Sequence, residues 1–297
     1  MTRAVTRGII LAGGSGTRLY PATSVACKQL LPVYDKPLIY YPMATLMQFG
    51  IREMMIISTP EDTPRFEHLF GDGSHLGLSL RYAVQERPQG IAQAFLVAED
   101  FCQDAPVALV LGDNIFYGIE HLSSTVASFD GGALIFAYKV HDPSRYGVVT
   151  FDNDGLPVSI VEKPTESKSP YAVTGLYIYD ADVVSLARSL KPSRRGELEI
   201  SELNGLYLQA GRLRVERLGR GIAWLDTGTF ESLLEAGNFI ATIERRQGQK
   251  IACLEEIAFR CGFIDRRRMQ SLIERLAPTS YRAYLEGVVR DADEGRS

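Results

Sequence analysis

The sequence predicts a doubly wound α/β protein, and three observations point there. Short apolar runs alternate with amphipathic stretches through the first half, the pattern of strands feeding crossover helices in a mainly parallel sheet. The first apolar run passes straight into the glycine-rich segment Gly13-Gly14-Ser15-Gly16. From Ala133 onward strand-like runs dominate, and beyond Gln247 the pattern becomes helical and charged.

Taken in order, Gly8 to Ala12 reads as a buried strand, and Pro42 to Phe49, closed by Gly50, as a helix. Met54 to Ser58 is the next strand, and Asp62 caps a short helix carrying Pro64 and Phe66 in its first turns. Leu80 to Gln85 then reads as strand, Ile91 to Phe101 as helix and Val107 to Leu111 as strand. Further strands follow at Ala133 to Val140, Gly147 to Phe151, Ser159 to Glu162 and Val173 to Tyr179, with Asn153-Asp154-Gly155 as the turn of a hairpin. Helices are expected after Asp180 as far as Leu190 and from Glu199 to Ala210, a strand from Arg214 to Leu218, and a long helix from Phe230 to Arg246. Asp265-Arg266-Arg267-Arg268 opens a later helix, and Asp291 to Ser297 reads as an exposed tail. The organisation expected is a core over residues 1–246, with halves of about 1–130 and 131–246, and a helical C-terminal segment over 247–297.

Composition narrows the function classes. With 45% hydrophobic and 23% charged residues, 27 Gly and 14 Pro in 297 residues, the chain fits neither a collagen-like, a low-complexity nor a disordered class. Its 32 Lys+Arg against 36 Asp+Glu give a net charge of −4, and no long basic run is present, which argues against nucleic acid as a partner. No window reaches the 18 apolar residues of a membrane span, and Ile9-Ile10-Leu11-Ala12 is too short for a signal-peptide core, so a cytoplasmic location is expected. The four cysteines and four histidines fall in no metal-ligand spacing.

The residues that carry chemistry follow the strands, where ligands sit in open α/β sheets. Glycines after the first strand let backbone N–H groups approach an anion closely, and Arg18 supplies a cation at the end of the loop. The loop lacks the closing Gly-Lys-Ser/Thr of a Walker sequence, and Leu19 replaces the third glycine of a dinucleotide loop. Lys28, ten residues beyond Arg18 and just before a short extended segment, reads as the second arm of a triphosphate clamp. Asp113 ends a strand where a carboxylate can anchor Mg²⁺, although alone it equally suits a helix cap or a turn. Asp226, in Trp224-Leu225-Asp226-Thr227-Gly228, offers a second carboxylate. Gln85 carries an amide whose donor and acceptor match a pyrimidine imide edge.

These motifs occur in the order found in the sugar-nucleotide pyrophosphorylases: Leu11-Ala12-Gly13-Gly14-Ser15-Gly16-Thr17-Arg18-Leu19, Lys28-Gln29-Leu30-Leu31-Pro32-Val33, Gly112-Asp113-Asn114, Glu162-Lys163-Pro164 and Trp224 to Gly228. The chain resembles that family from Gly8 to about Tyr284. Asp62-Thr63-Pro64-Arg65-Phe66 and Arg195-Gly196-Glu197-Leu198-Glu199-Ile200 resemble its thymidylyl-transferring branch. The resemblance implies a Rossmann-like doubly wound mixed sheet of the nucleotidyltransferase type and a Mg²⁺-dependent reaction. In that reaction dTTP and α-D-glucose 1-phosphate give dTDP-glucose and pyrophosphate, a first step toward dTDP-L-rhamnose and related deoxysugars.

Carried over residue by residue, the resemblance assigns Leu11, Gly13, Gly14, Ser15, Gly16, Thr17 and Asp113 to the nucleotide, with Gln85 and Gly90 reading thymine. It assigns Arg18, Lys28 and Lys163 to the reacting phosphates, and Asp113 and Asp226 to the metal. Gly147, Glu162, Lys163, Val173 and Trp224 would face the sugar phosphate. It further implies a homotetramer and feedback by a dTDP-sugar at the C-terminal segment. Glu202 and Phe230 depart from the residues expected in the family and bear on fine specificity. The competing readings are a UTP-using sugar-phosphate transferase and a nucleotide-sugar-binding regulatory protein without turnover.

Overall fold

The structure is a computed structural model and describes residues 4–14 and 16–295. The chain opens with β1 (Arg7–Leu11), a small hairpin of β2 (Pro32–Val33) and β3 (Lys36–Pro37), and α1 (Tyr40–Gln48). It continues through β4 (Glu53–Ser58), α2 (Thr63–Phe70), β5 (Ser79–Val84), α3 (Gln93–Val97), α4 (Glu99–Cys102) and β6 (Val107–Leu111). There follow β7 (Asn114–Tyr117), α5 (Leu122–Ala127), β8 (Ala133–Lys139), β9 (Gly147–Phe151), β10 (Pro157–Glu162) and β11 (Tyr171–Tyr179). The last part comprises α6 (Val183–Ser189), α7 (Ile200–Gln209), β12 (Leu213–Arg217), β13 (Ala223–Asp226), α8 (Phe230–Gln247), α9 (Leu254–Arg260), α10 (Arg266–Arg275) and α11 (Ser280–Asp293).

Nine strands form one mixed sheet, ordered β10-β9-β11-β6-β1-β4-β5, with β8 and β12 continuing on the far edge of β11. Strands β5, β4, β1 and β6 are parallel, whereas β11 runs antiparallel to β6, β8 and β9. Helices cover both faces, so alternate residues of each central strand enter different cores. Ile10, Ile56 and Val110 join α1 and the C-terminal helices on one face; Ile9, Ile57 and Leu109 join Phe95, Tyr179 and Tyr207 on the other. This is why these strands read as continuous apolar runs rather than as alternation. Leu254, Ala258, Met269 and Leu285 belong to the first of those cores, so α9 to α11 are built into the body of the protein.

The chain moves outward from β1 to β4 and β5, then returns to place β6 on the other side of β1. That reversal opens a crevice beyond the carboxyl ends of β1 and β6, the position where such sheets take ligands. The two loops meet closely there. Gly112 N–H donates to the Leu11 carbonyl at 2.9 Å, and a Cβ at Gly112 would fall 3.0 Å from that oxygen and 3.0 Å from Gln29 Cγ.

Several expectations need correcting. The helix expected from Ile91 to Phe101 is two short helices, because Ala98 leaves the helical dihedrals (φ −98, ψ 25) and re-aims Phe101 and Cys102 into the core. Asp62 occupies the N-cap position of α2, but its carboxylate is taken by Arg65 and Thr59 and caps no backbone N–H. Lys28 does precede an extended segment, β2, but not immediately: it opens a single 3₁₀ turn, Lys28–Leu30, that comes first. The tail begins later than expected, since α11 runs through Asp293. Among the described residues no helix is long and apolar enough to cross a membrane.

Candidate active site

The floor of the crevice is a two-stranded sheet that joins distant parts of the chain. β7 pairs antiparallel with β13, Asn114 opposite Asp226 and Phe116 opposite Trp224. Thr227 completes the junction by donating its Oγ1–H and its N–H to the Asp113 carbonyl, at 2.9 and 3.3 Å. The carboxylates of Asp113 and Asp226, 113 positions apart in the sequence, thereby face one space. Asp226 has its carboxyl pushed upward by burial first and by the neighbouring Asp113 charge second, against the pull of Lys28, Arg145 and Arg18.

One cavity of about 320 Å³ lies beside the glycine loop, lined by Gly13, Gly14, Gly16, Thr17, Arg18 and Lys28 among others. Lys28 is buried and its Nζ donates to Asp113 Oδ2 at 2.7 Å. Gly14 (φ +119) and Gly16 (φ +55) adopt the left-handed backbone that only glycine takes without strain. Gly13 is required for another reason: a Cβ there would lie 2.6 Å from Gln85 Oε1, so Gln85 sits directly behind the loop. Gln85 is itself buried, with Nε2 donating to Gln93 Oε1 at 2.7 Å. Ser15 lies outside the described residues.

Leu11, Gln85 and Gly90 stand behind this wall rather than in it. Leu11 turns its side chain into the second core and gives its carbonyl to Gly112. Gly90 (φ +104) is pressed against Leu198, whose N–H donates to the Gln89 carbonyl at 2.7 Å and whose carbonyl accepts from Ala92 N–H at 3.2 Å. The clasp brings Glu197 and Pro88 together over the glycine-loop cavity.

A second cavity of about 410 Å³ opens on the other side of Asp113. Gly147, Glu162, Lys163, Val173, Trp224 and Asp226 all line it. A Cβ at Gly147 would meet Ser201 Oγ at 3.0 Å and Glu162 Oε2 at 3.3 Å, so glycine leaves the wall open toward that carboxylate. The Ser201 hydroxyl donates to Glu162, and the Arg195 guanidinium lies 3.6 Å from it while anchored on Glu199 at 2.7 Å. Lys163, at φ 42, carries an exposed side chain at the rim. Trp224 is buried, its rim packed by Tyr138 and Tyr146 and its indole N–H spent on Asn114, so it presents a ring and no donor to the cavity.

Arg18 and Asp113 are the two residues that line both cavities. The charged site residues picked out in the sequence, Arg18, Lys28, Asp113, Glu162, Lys163 and Asp226, therefore border two cavities that share Arg18 and Asp113. Sequence reasoning missed Asn114 and Thr227, each adjacent to a residue it had selected, and Arg145, two positions before Gly147, which reaches within 3.8 Å of Asp226. Arg195 and Glu199 were quoted only as part of a branch motif, and neither they nor Ser201 were given a place in the site, because their bonds to each other and to Glu162 form only in the folded chain.

The donor set fits a hard divalent cation. Two mutually repelling carboxylates supply oxygen ligands alone, and among the described residues no cluster of three or more His, Cys, Asp or Glu is assembled elsewhere. Mg²⁺ is satisfied by one or two carboxylates with phosphate and water completing its shell.

Known proteins resemble the chain over most of its length. The nucleotidyl transferase family matches residues 7–243. A glucose-1-phosphate thymidylyltransferase of Mycolicibacterium smegmatis is 56% identical over 94% of this chain and 97% of its own length. A crystal structure from Bacillus anthracis, assigned as a glucose-1-phosphate thymidylyltransferase and holding sucrose, superposes with a TM-score of 0.73 at 42% identity, covering 78% of this chain and 94% of that one. A UDP-glucose pyrophosphorylase in complex with UDP-glucose gives a TM-score of 0.70 at 25% identity, over 82% of this chain and 100% of that one. The fold, the strand-end carboxylates and these likenesses agree: the chain belongs to the nucleotidyl transferase family.

Proposed function

We propose that the protein joins dTTP and α-D-glucose 1-phosphate into dTDP-glucose, releasing pyrophosphate. The observation that carries this reading is the pair of cavities meeting at Arg18 and Asp113, one against a glycine loop and one lined by Gly147, Glu162 and Lys163. The likeness to named thymidylyltransferases supports the choice of nucleotide and sugar.

In the reaction, a phosphate oxygen of the sugar attacks the α-phosphorus in line. The bond to the leaving pyrophosphate breaks and its electron pair departs with it. The nucleophile is already anionic, so no proton transfer or covalent enzyme intermediate is needed. Catalysis reduces to alignment and charge compensation. Gly13, Gly14, Ser15, Gly16 and Thr17 bind the nucleotide chiefly through backbone groups, Leu11 supports them from behind by joining its carbonyl to Gly112 N–H, and Gln85 and Gly90 position the thymine edge. Arg18 stands where the two substrates meet, Lys28 compensates the phosphates beside the loop and Lys163 holds the sugar phosphate. Gly147 and Val173 let the hexose approach the backbone, Glu162 accepts from its hydroxyls and Trp224 floors its subsite. Asp113 and Asp226 would hold Mg²⁺, which would supply neutralisation of phosphate charge.

The expected setting is cytoplasmic, with the protein a homotetramer. Feedback by a dTDP-sugar is assigned to the cavity of about 660 Å³ bordered by Tyr117, Gln249, Lys250 and Arg260. Light scattering tests the tetramer, and strict competition of dTDP-rhamnose with dTTP would remove the feedback site. The reaction itself is tested by pyrophosphate release from dTTP, UTP, CTP and ATP with glucose 1-phosphate and Mg²⁺, with and without chelator. dTTP should be fastest, and UTP slower but measurable, because one methyl is worth only about 1–3 kcal/mol of discrimination. No release with dTTP, or undiminished release under chelator, overturns the proposal.

A further inference from the structure

Asn114 is 3% exposed and touches three separate parts of the site. Its Oδ1 accepts from the Trp224 indole N–H on β13 at 2.6 Å and from the Gly175 backbone N–H on β11 at 3.1 Å. Its Nδ2 donates to Asp113 Oδ1 at 2.8 Å. Two N–H donors converging on one end of the amide identify that end as oxygen, since a flipped NH₂ would meet them with no acceptor. The other end is then obliged to donate, and it points at the carboxylate. Room for this arrangement is built into β11: a Cβ at residue 175 would fall 2.6 Å from Asn114 Oδ1, so only glycine there admits the amide.

We propose that Asn114 is a positioning residue that fixes the Asp113 carboxylate for the reaction, acting through Asp113 rather than on the substrates. Asp113 has three holds: Asn114 on Oδ1, Lys28 on Oδ2 at 2.7 Å and Thr227 on its carbonyl. Lys28 is the hold that the transfer reaction draws toward phosphate, and Thr227 fixes only the main chain. Asn114 alone keeps the carboxylate plane set while the phosphates are bound. Aspartate at 114 retains an acceptor for the indole and Gly175 but presents a like charge to Asp113. Alanine removes all three bonds. The inference rests on the proposed nucleotidyl transfer, with Asp113 as an anchor of the divalent cation.

The test compares Asn114→Asp and Asn114→Ala with the unaltered chain, using steady-state rates and the emission of Trp224, the one tryptophan of the sequence. Both variants should lower kcat by about 10²-fold at saturating substrates, the scale of losing one preorganised hydrogen-bond donor, with KM for glucose 1-phosphate unchanged within about threefold. Emission should stay as in the unaltered chain for Asn114→Asp and shift for Asn114→Ala, whose indole loses its acceptor. Mn²⁺ titration followed by Trp224 quenching requires no turnover and covers the case in which Asn114→Asp does not fold. Asn114→Ala should then need several-fold more Mn²⁺ for half-saturation. The positioning role is overturned by kcat near the unaltered value in both variants, by a defect confined to the KM for glucose 1-phosphate, or by unchanged Mn²⁺ affinity in Asn114→Ala. The rate of the unaltered chain in the same assay tests the substrate reading separately. If that rate is nil, the transfer reading falls and the Mn²⁺ titration still decides the role of Asn114.

Discussion

Replacing Lys28 with Met removes a charge while keeping most of the side-chain volume. In the unaltered chain Nζ lies 2.7 Å from Asp113 Oδ2, with the lysine side chain 9% exposed and the aspartate 26%. At that distance and an effective dielectric constant near 20, the bare attraction is roughly 6 kcal/mol. Desolvation of both charges offsets much of it, and removing one member of a buried pair typically costs about 3–5 kcal/mol. Because Asp113 is partly open to water, the stability loss should fall at or below about 3 kcal/mol, leaving the chain folded. The kinetic effect is separate. Without the ammonium, the repulsion between bound phosphates and the two carboxylates is less well compensated, and loss of a preorganised electrostatic partner costs about 10²–10³ in rate, roughly 3–4 kcal/mol. Rapid-quench measurement of pyrophosphate release, at saturating dTTP, glucose 1-phosphate and Mg²⁺, reads that loss directly. A folded Lys28→Met variant turning over within about threefold of the unaltered rate would refute the reasoning.

Three further outcomes follow from the geometry. Glu244→Ala strips a buried carboxylate that accepts from Lys36 at 3.1 Å, Lys250 at 3.1 Å and Ile251 N–H at 2.9 Å. This leaves the buried Lys36 short of a partner, so urea unfolding should show a loss of about 3–5 kcal/mol; an unmoved midpoint would contradict it. In the same cluster, burial tends to raise the Asp35 carboxyl, but hydrogen bonds from Lys250 and Lys36 outweigh it and hold the carboxyl below its ordinary value. The resulting stabilisation is complete above an unfolded pKa near 4 and is lost as pH falls through the lower folded value. Asp35→Asn should therefore flatten the acid limb of a melting-temperature profile below about pH 4, and an identical limb would argue against the cluster. Gly90→Ala places a Cβ 2.6 Å from Leu198 N at a positive φ. Overpacking and backbone strain together predict about 2–4 kcal/mol of destabilisation, and an unchanged thermal midpoint would mean that the clasp yields freely.

The central strands were legible because β1, β4 and β6 are buried on both faces and must be apolar throughout. The glycine loop and Asp113 could be singled out because the order of apolar runs already puts them at the ends of central strands, where open sheets take ligands. The pairing of β7 with β13 was not. Each strand has four residues, too few for a period, and their partnership spans more than a hundred positions. That pairing, completed by Thr227, brings Asp226 to Asp113, so two separate local readings held no information about their meeting. Asn114 escaped selection although it stood inside a motif already quoted, because its role depends on Trp224 and Gly175, which only the tertiary structure supplies. Gly90 shows the reverse: its selection rested on the family resemblance, and its packing against Leu198 gives it a structural duty that the sequence does not announce.

Direct transfer between two substrates in one cleft has a stereochemical signature. With dTTP carrying sulfur in place of one α-phosphate oxygen in a single configuration, a single in-line displacement must invert the α-phosphorus in the dTDP-glucose formed. ³¹P spectroscopy of the product distinguishes the two configurations. Inversion is the predicted result, and retention, which requires two successive displacements through an enzyme-bound intermediate, would contradict the account.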